Sequence, residues 1–380
     1  MRTMSDKRYK QLGNYIELVQ ERNKGAYITN LMGVSIAKKF IPSIANIIGT
    51  DLSNYRIVHP GNFAFCPVTS RNGEKITIAR YKGKDDCIIS QAYLPFRVID
   101  ENELDPDYLM MWVMRSEFDR YARFHSHGSV RELFSWEEMC NVYLPIPSIE
   151  EQRKIVAEYQ AVEQRIENNN RLIKALEDTA QAIYHHTFVE NIDPENLPEG
   201  WSISYLYDIG KFTNGLACQN FAGNGKLHTP VLKIRELNQG FADINSDFVD
   251  DTFPNTHIVN GGDLIFSWSA TLLVKFWASD AVALNQHLFK VTSEKYPLWL
   301  LYFGIKQHIE MWKNLISAKA TSMGHIKIED LQKAVVFVPN KELLDTIDTK
   351  INPLINYLIL TEKENLYLLK LKNLLLSKLS

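Results

Sequence analysis

Residues 144–176 read LPIPSIEEQRKIVAEYQAVEQRIENNNRLIKAL, in which a proline-rich entry precedes a long helical pattern. Ser148 is the predicted N-cap, and Glu151, three residues later, completes a capping-box pattern. Apolar residues then recur every seven positions in two series, as at the a and d positions of a coiled coil. The spacing predicts a helix over residues 148–190, and about 40 residues at 1.5 Å each give a rod of roughly 60 Å.

A second helix with the same spacing is predicted over residues 340–380. Pro353 lies inside it and predicts a kink or a restart, because proline removes one amide donor. The second helix is richer in leucine than a simple seam requires. We therefore expect part of its surface to pack on a globular domain or on another protein.

The two helices are predicted to pair as an antiparallel coiled coil through their a and d positions. The interface residues predicted on the first helix are Ile155, Tyr159, Val162, Ile166, Asn169, Ile173, Leu176 and Ile183. Those predicted on the second helix are Ile347, Ile351, Leu354, Leu358, Asn365, Leu368 and Leu375. The register that sets Ile155 opposite Leu379 also sets Asn169 opposite Asn365, and a buried asparagine pair can fix register at a cost in stability. The alternative is that Asn169 only marks a weak point in its helix.

The chain also repeats itself beyond the helices. Residues 141–187 align with residues 333–379 without a gap, and IVHPGNFAF (57–65) resembles IVNGGDLIF (258–266). Chance similarity of apolar runs is the alternative, but several segments recur in the same order. The repeat predicts a first domain at residues 1–147 and, including a linker, a second at residues 191–339.

Composition sets the broad class of the protein. The 380 residues are 45% hydrophobic and 23% charged, with a formal net charge of −3, which is typical of globular protein. The four cysteines show no CxxC spacing, and no apolar run is long enough for a signal sequence or a membrane span. These features predict a cytoplasmic protein with reduced thiols. A balanced net charge weakens a nucleic-acid role without removing it, because DNA contact needs only a local basic face.

The two domains are predicted to be mixed α and β, so the fold class is α+β. Strands are predicted at residues 75–81, 88–89, 93–99, 229–234, 263–268 and 287–291. Helices that close the domains are predicted at residues 107–123 and 298–313.

Motifs for catalysis are absent from the sequence. Gly225 and Lys226 are followed by Leu227, so they do not form a phosphate-binding loop, and the sequence contains neither a methyltransferase tetrapeptide nor a nucleophile elbow. His125 and His127 lack neighbouring carboxylate or cysteine ligands in the sequence and are predicted to be polar loop residues. We predict a non-catalytic chain with no metal or cofactor of its own.

With these features in view, the sequence resembles the specificity subunits of type I restriction–modification systems. The resemblance covers nearly the whole chain, and it is carried by residues 144–176, DLSNYRIVHPGNFAF (51–65), LPEGWSISYLYDIGKF (197–212), TPVLKIRELNQGFAD (229–243) and GGDLIFSWSAT (261–271). The second domain departs from the pattern, because VVFVPNKELLDTI (335–347) lacks the triplet found at residues 151–153.

The resemblance implies a function and a set of partners. Each globular domain is expected to recognise one half of a split site on double-stranded DNA, and the helices are expected to set the gap between the halves. Two methyltransferase subunits, which bring S-adenosylmethionine, and restriction/translocase subunits, which use ATP and Mg²⁺, are the expected partners.

Candidate DNA contacts follow from the chemistry of base edges. Arginine or lysine suits guanine, asparagine or glutamine suits adenine, and serine or threonine suits either. In the first domain, three predicted loops and one turn supply Thr29, Asn30, Ser70, Arg71, Asn72, Lys75, Gln91, Ser129 and Arg131. In the second domain the corresponding residues are Lys233, Arg235, Asn238, Ser269, Thr271, Gln286, Lys319, Thr321, Ser322 and His325.

Two alternatives remain open at this point. One is a coiled-coil scaffold that carries two protein-interaction domains and has no DNA role. The other is an enzyme whose site lies within one domain. A scaffold predicts domains without a basic face, whereas an enzyme predicts a pocket with convergent titratable groups.

Overall fold

The fold is described from a computed structural model. It covers residues 9–43, 49–70, 75–128, 132–190, 192–221, 228–318 and 326–379. The chain divides into two compact units. Unit 1 comprises residues 1–164 with 370–380, and unit 2 comprises residues 165–369.

The strands are short and are numbered in chain order. They are β1 Tyr9–Gln11, β2 Ile16–Leu18, β3 Met32–Val34, β4 Phe40–Pro42, β5 Arg56–Val58, β6 Phe63–Phe65, β7 Ile78–Arg80, β8 Cys87–Ile89, β9 Leu94–Val98, β10 Tyr143–Pro145, β11 Ser202–Tyr205, β12 Lys211–Asn214, β13 Thr229–Leu232, β14 Phe248–Val249, β15 Ile258–Val259, β16 Leu264–Ser267, β17 Leu273–Phe276, β18 Val282–Leu284, β19 Leu288–Thr292 and β20 Val335–Val338.

Two of the helices are far longer than the rest. The α-helices are α1 Pro106–Val113, α2 Ser116–Phe124, α3 Trp136–Cys140, α4 Ile149–His185, α5 Leu206–Ile209, α6 Ile234–Gln239, α7 Leu298–Ala318, α8 Ile328–Gln332 and α9 Lys341–Ser377. A π turn at His186–Glu190 follows α4, and 3₁₀ turns lie at Leu12–Asn14, Leu52–Asn54, Cys218–Phe221 and Asn255–His257.

The main sheets of units 1 and 2 have the same strand order. Unit 1 has a four-stranded sheet ordered β2-β9-β6-β7, and unit 2 has one ordered β12-β19-β16-β17. The pairs β1–β10 and β5–β8 of unit 1 correspond to β11–β20 and β15–β18 of unit 2, and all four are antiparallel. The internal repeat and the mixed α/β content predicted from the sequence are therefore confirmed.

Each unit has a core of its own in which the main sheet packs on helices. In unit 1, Phe63, Phe65 and Phe96 of the sheet are buried with α1 and α2 residues. In unit 2, Phe266 and Phe289 of the sheet pack in the same cluster as Trp299 and Trp312 of α7. Aromatic rings bury large areas, so these clusters dominate the stability of each domain.

The helix α4 begins where the sequence predicts. The amide of Glu151 donates to the Ser148 hydroxyl oxygen at 3.4 Å, and the amide of Gln152 donates to the Ser148 carbonyl at 3.0 Å. Gln152 is fully buried, and its side-chain amide donates to the carbonyls of Glu103 and Pro147 at 2.9 Å. These bonds join the first turn of α4 to the loop that precedes α1.

Within unit 2, α4 and α9 run antiparallel. Asn169 of α4 lies against Asn365 of α9, and farther along α4 the buried Tyr184 shares a core cluster with Ile351 and Ile355 of α9. Residue numbers therefore rise on one helix as they fall on the other. The antiparallel coiled coil predicted from the heptads is confirmed.

Within unit 1, the beginning of α4 meets the end of α9 in the same sense. Ile155 and Leu375 pack against the unit 1 core, which also contains Tyr159 and Leu379. Glu163 accepts a hydrogen bond from Lys372 Nζ at 2.7 Å. Both ends of the helical pair thus dock on domain cores, as expected for the leucine-rich α9.

Three sequence predictions about elements need correction. The helix predicted at residues 107–123 is two helices, because the backbone of Arg115 is extended and restarts the chain as the N-cap of α2. The strand predicted at residues 229–234 ends at Leu232, where α6 follows. The helix α9 continues through Pro353 without a restart, and Pro353 is exposed, so the carbonyl that lacks its amide partner can face solvent. Within the described ranges, every helix is too short or too polar to span a membrane.

Candidate nucleic-acid interface

In unit 2, three polar segments converge at one end of the main sheet. The loop between β16 and β17 meets the turn between β18 and β19, where Ser269 Oγ lies 3.2 Å from His287 Nδ1. The amide of Ile326 donates to the carbonyl of Trp268 at 2.9 Å and so attaches the segment before α8 to the same loop. Ser269 and Gln286 are half-buried at this end of the sheet, and Thr271 is exposed.

The turn between β18 and β19 is held close to a neighbouring backbone. The amide of Gln286 donates to the carbonyl of Leu216 at 2.9 Å. A Cβ atom at Gly215 would lie 2.2 Å from the carbonyl oxygen of Asn285, so only glycine allows this approach. The side chain of Asn285, which is buried, accepts a hydrogen bond from the His287 amide at 3.3 Å. Gln286 and His287 are therefore presented by a fixed backbone.

The prediction that Lys233, Arg235 and Asn238 lie on a loop is wrong. Lys233 is the N-cap of α6 and the other two lie on this helix, because the carboxylate of buried Glu236 accepts the Lys233 amide at 3.1 Å. Gly240 ends the helix in the left-handed region with φ 86°. The side chain of Lys233 pairs with Asp247.

The charge of Arg235 is also partly satisfied within the domain. Its guanidinium donates to Glu236 at 2.6 Å and to Asp243 at 3.2 Å. Asn238 donates to the Ile234 carbonyl at 2.9 Å. These three side chains would have to exchange local partners to contact DNA.

In unit 1, two of the segments predicted to contact DNA begin next to the same pair of β-bridges. Val68 pairs with Leu133, and Leu133 pairs in turn with His127. The amide of Thr69 donates to the Glu132 carbonyl at 3.0 Å, and its hydroxyl donates to Ser126 at 3.0 Å. The segments that begin at residues 69 and 128 are therefore neighbours at their bases.

Asp119 binds the backbone at Ile76, after the segment that begins at residue 69. Its carboxylate accepts the amide of Ile76 at 3.1 Å and pairs with Lys38 Nζ at 2.7 Å. Burial lowers the pKa of Lys38, and Asp119 opposes that effect. Ser70 and Lys75, on either side of this segment, are both exposed.

Thr29 and Asn30 follow a segment that is held by one buried amide. The side chain of Asn23 donates to the Ile28 carbonyl at 2.9 Å and accepts the Ile28 amide at 3.1 Å. Asn30 donates to the Tyr81 hydroxyl at 3.4 Å, and the Asn30 carbonyl accepts the Ile88 amide at 2.9 Å. Thr29 and Asn30 are exposed on this ordered segment, and Gln91 is exposed in the turn before β9.

A basic groove of about 550 Å³ opens beside Asn30. The cationic side chains that line it are Lys38, Lys39, Arg80 and Lys82, and the acidic residue that lines it is Glu163. Burial raises the pKa of the Asp107 carboxyl, but the hydrogen bond and charge of Arg80, which lies 2.7 Å away, together with Lys82 outweigh burial, so the pKa of Asp107 is lowered. Lys38 pairs with Asp119 and Arg80 pairs with Asp107, so the exposed Lys39 and Lys82 are the groove cations that suit contact with phosphates.

Several predicted contacts lie outside the described residues. They are Arg71, Asn72, Ser129, Arg131, Lys319, Thr321, Ser322 and His325.

Two exposed side chains that were not predicted from the sequence lie beside predicted contacts. Tyr27 is 88% exposed and lies two residues before Thr29. His287 is exposed and contacts Ser269. The signal for His287 was its position next to Gln286 in the repeated turn, whereas the exposure of Tyr27 depends on how Asn23 folds the loop.

The statement that His125 and His127 lack a neighbouring carboxylate is wrong, because Glu138 lies near them. Glu138 Oε2 is 3.4 Å from His125 Nδ1, and ligand atoms of all three residues lie within 4.8 Å of one another. The residues are too far apart in sequence for the contact to be apparent before folding.

Two repeated mixed α/β domains, each followed by a long helix and each presenting polar loops, define a bipartite recognition protein. The family model described as "Type I restriction modification DNA specificity domain" matches residues 14–178 and again residues 198–373. The chain belongs to this family.

The chain is similar to one curated relative and to two solved structures. The chain is 23% identical over 310 residues to the type I restriction enzyme MjaIX specificity subunit of Methanocaldococcus jannaschii, which covers 74% of this chain and 70% of the relative. The fold of this chain is similar to that in the crystal structure of the S subunit of a type I restriction–modification system from M. genitalium. The TM-score is 0.58 and the identity is 14%, over 99% of this chain and 97% of that chain. The HsdS subunit from Thermoanaerobacter tengcongensis matches with a TM-score of 0.37 and 17% identity over 98% of this chain and 95% of that chain.

Family membership defines the role of the chain in outline. It is the DNA sequence-recognition subunit of a type I restriction–modification complex, and the subunit itself is not catalytic. Members of the family carry no cofactor of their own and act with DNA and with methyltransferase and restriction partners.

Proposed function

We propose that each domain recognises one half of a split DNA site through the polar segments at the end of its main sheet. The first domain is assigned to residues 1–147 and the second to residues 191–339, with conserved helices at residues 148–190 and 340–380. The observation that carries the proposal is the convergence of the Ser269 loop, the Gln286–His287 turn and the segment at Ile326 in unit 2. A fixed backbone that presents several hydrogen-bonding side chains together is what direct recognition of base edges requires.

We assign different roles to the residues that face DNA. Gln286, Ser269, Thr271, Asn30 and Thr29 are assigned to base edges, because amides and hydroxyls match their donors and acceptors. Lys39 lines the basic groove of unit 1, and Lys75 lies near Lys38 of the same groove. Both lysines are assigned to phosphates. DNA contacts are also assigned to Lys233, Arg235 and Asn238. Each of these side chains must first break the hydrogen bonds or ion pairs that it makes within the domain.

The proposal extends to the assembly. Two methyltransferase subunits dock on the helices and domains and bring S-adenosylmethionine, and restriction/translocase subunits join with ATP and Mg²⁺. The complex acts on double-stranded DNA in the cytoplasm. The alternative of a scaffold without a DNA role assigns no role to the exposed cations Lys39 and Lys82 that line the groove.

The test is DNA binding by the assembled complex that contains single variants of this chain. Gln286→Ala should weaken binding to the cognate sequence about 5- to 150-fold, the equivalent of about 1–3 kcal/mol for one base contact, with little change on non-cognate DNA. Lys75→Ala should weaken binding to both sequences alike and reduce the salt slope by about one.

Lys313→Ala is the matched control, because Lys313 is an exposed cation that pairs with Glu310 within α7. It should leave binding unchanged. Unchanged affinity of both Gln286→Ala and Lys75→Ala at several salt concentrations would favour the scaffold and overturn the proposal.

A further inference from the structure

We propose that His125, His127 and Glu138 form a zinc-binding site in unit 1. The three ligand atoms lie within 4.8 Å of one another. Two imidazoles and one carboxylate, with a water molecule in the fourth position, are a common ligand set for Zn²⁺. Binding of the metal does not depend on the function proposed above.

One edge of the coordination shell already has the required length. His125 Nδ1 and Glu138 Oε2 are 3.4 Å apart. Tetrahedral Zn²⁺ with bonds near 2.1 Å sets its ligand atoms about 3.3–3.4 Å apart. An ordinary ion pair would have this separation too, so the third ligand, His127, is what distinguishes a metal site from an ion pair.

The third ligand is fixed at its backbone rather than free in a loop. The His127 amide donates to the Leu133 carbonyl at 3.1 Å, and the Leu133 amide donates to the His127 carbonyl at 2.9 Å. The His127 side chain is exposed, so it can rotate towards the other two ligands without disturbing the core.

The other two ligands are also positioned by their elements. His125 is the C-cap of α2, and its ring lies 4.3 Å from the ring of Tyr121. Glu138 is on the first turn of α3, where its amide donates to the Ser135 N-cap at 3.1 Å. The segment that leaves α2 therefore supplies two ligands and α3 supplies the third, and the three protein ligands leave a fourth position for water.

Zinc at this point would connect the end of α2, the His127–Leu133 bridge and α3. Leu133 also pairs with Val68, so the metal would brace the base of the two polar segments of unit 1. The consequence for DNA contact rests on the proposed function, whereas the presence of the site does not. For this reason the test uses DNA-free protein.

The experiment is a zinc titration of the untagged, chelator-treated full chain by calorimetry, with Co²⁺ absorbance as a second readout of coordination. We expect one Zn²⁺ per chain and a rise in Tm with zinc, because a ligand that binds the folded state stabilises it. His127→Ala and Glu138→Gln should each weaken zinc binding at least ~10-fold, since loss of an outer-shell partner alone costs 10–100-fold.

A second histidine pair provides the matched control. His185 and His186 both contact Glu190, at 3.1 and 3.4 Å, but they lie outside the proposed site. The double variant His185→Ala/His186→Ala should keep the stoichiometry and the affinity. Absence of zinc binding by the wild-type chain, retention of tight binding by the double variant His125→Ala/His127→Ala, or its loss in the His185/His186 control would each overturn the proposal.

Discussion

Asn169 and Asn365 are buried polar residues in a largely apolar seam, with 2% and 9% of their surfaces exposed. Asn169 Nδ2 donates to Asn365 Oδ1 at 3.0 Å, and Asn365 Nδ2 donates to Asn170 Oδ1 at 2.9 Å. Asn169 also donates to Glu364 at 3.0 Å. The structure therefore brings the two amides into contact at the register that the heptads predict, and each amide has a partner.

Replacing one of the two asparagines should lower the free energy of unfolding more than replacing both. In Asn169→Leu the buried oxygen of Asn365 loses its donor, and we expect the free energy of unfolding to fall by about 1–3 kcal/mol. In Asn169→Leu/Asn365→Leu the unpaired group is gone and apolar surface is buried, so stability should equal or exceed that of the wild type. Denaturant unfolding of the four proteins in a double-mutant cycle gives the coupling energy.

Asn373→Leu is the control for this cycle, because Asn373 is exposed on the same helix. It should change stability by less than about 0.5 kcal/mol. A double variant that is less stable than both single variants would show that the asparagine pair is not a costly specificity device.

The positions of several polar segments in the candidate interface can be predicted from the sequence, but the local partners of their side chains cannot. Residue types and their order predict polar segments at residues 269–271 and at Gln286. They cannot predict that Arg235 pairs with Glu236 and Asp243, because local ion pairing depends on the turn of α6. The proximity of Glu138 to His125 likewise arises only when α2 and α3 pack.

At the scale of elements, α4 docks on α7 through one acidic residue. Glu177 of α4 accepts hydrogen bonds from Lys306 Nζ at 2.7 Å and from the Tyr302 hydroxyl. Burial of the Glu177 carboxyl raises its pKa, but the hydrogen bonds from Lys306 and Tyr302 outweigh burial and leave the pKa lowered. The contact thus favours the ionised carboxylate.

Lys306→Met should therefore destabilise the protein in a pH-dependent way. A lowered pKa in the folded state contributes stability above the ordinary glutamate value near 4.3, and that contribution is lost as pH falls through the folded value. We expect Lys306→Met to lower the free energy of unfolding by about 1–2 kcal/mol at pH 7, within the range for hydrogen bonds to charged groups in a partly exposed site. The difference from wild type should shrink as pH falls below about 4.

Lys313→Met, on the same helix, is the control for this prediction. Its partner Glu310 is 77% exposed, so we expect a change below about 0.5 kcal/mol at either pH. Equal destabilisation by Lys306→Met at pH 7 and at a pH well below 4 would contradict the role given to the Glu177 charge.

Long elements are more predictable from sequence than short ones. The heptads of α4 and α9 specify the existence and period of these helices, and the internal repeat predicts their antiparallel pairing because each helix follows its own domain. The break between α1 and α2 was not predictable, since it depends on Arg115. Its guanidinium is buried, lies 5.8 Å from the Trp112 ring and reaches the carbonyl of Leu379, 264 residues away in the sequence.

At the scale of the whole molecule, the two halves share their framework and differ in their polar segments. The main four-stranded sheet has the same strand order in both units, and the family model matches the chain twice. The groove in unit 1 is lined by four cations, whereas the convergent segments of unit 2 present Ser269, Gln286 and His287. This is the pattern expected when a shared scaffold carries two different recognition surfaces.

The most direct test is to exchange one domain and determine which DNA sequence the complex methylates. Residues 199–339 are replaced with the matching segment of a relative that has a different target, and single-molecule sequencing gives the methylated sites in cells that express the chimera. Independent recognition by the two domains predicts a methylated site in which one half changes and the other half and the spacer stay as in the wild type. A site that remains unchanged, or one in which both halves change, would contradict the assignment of one half-site to each domain.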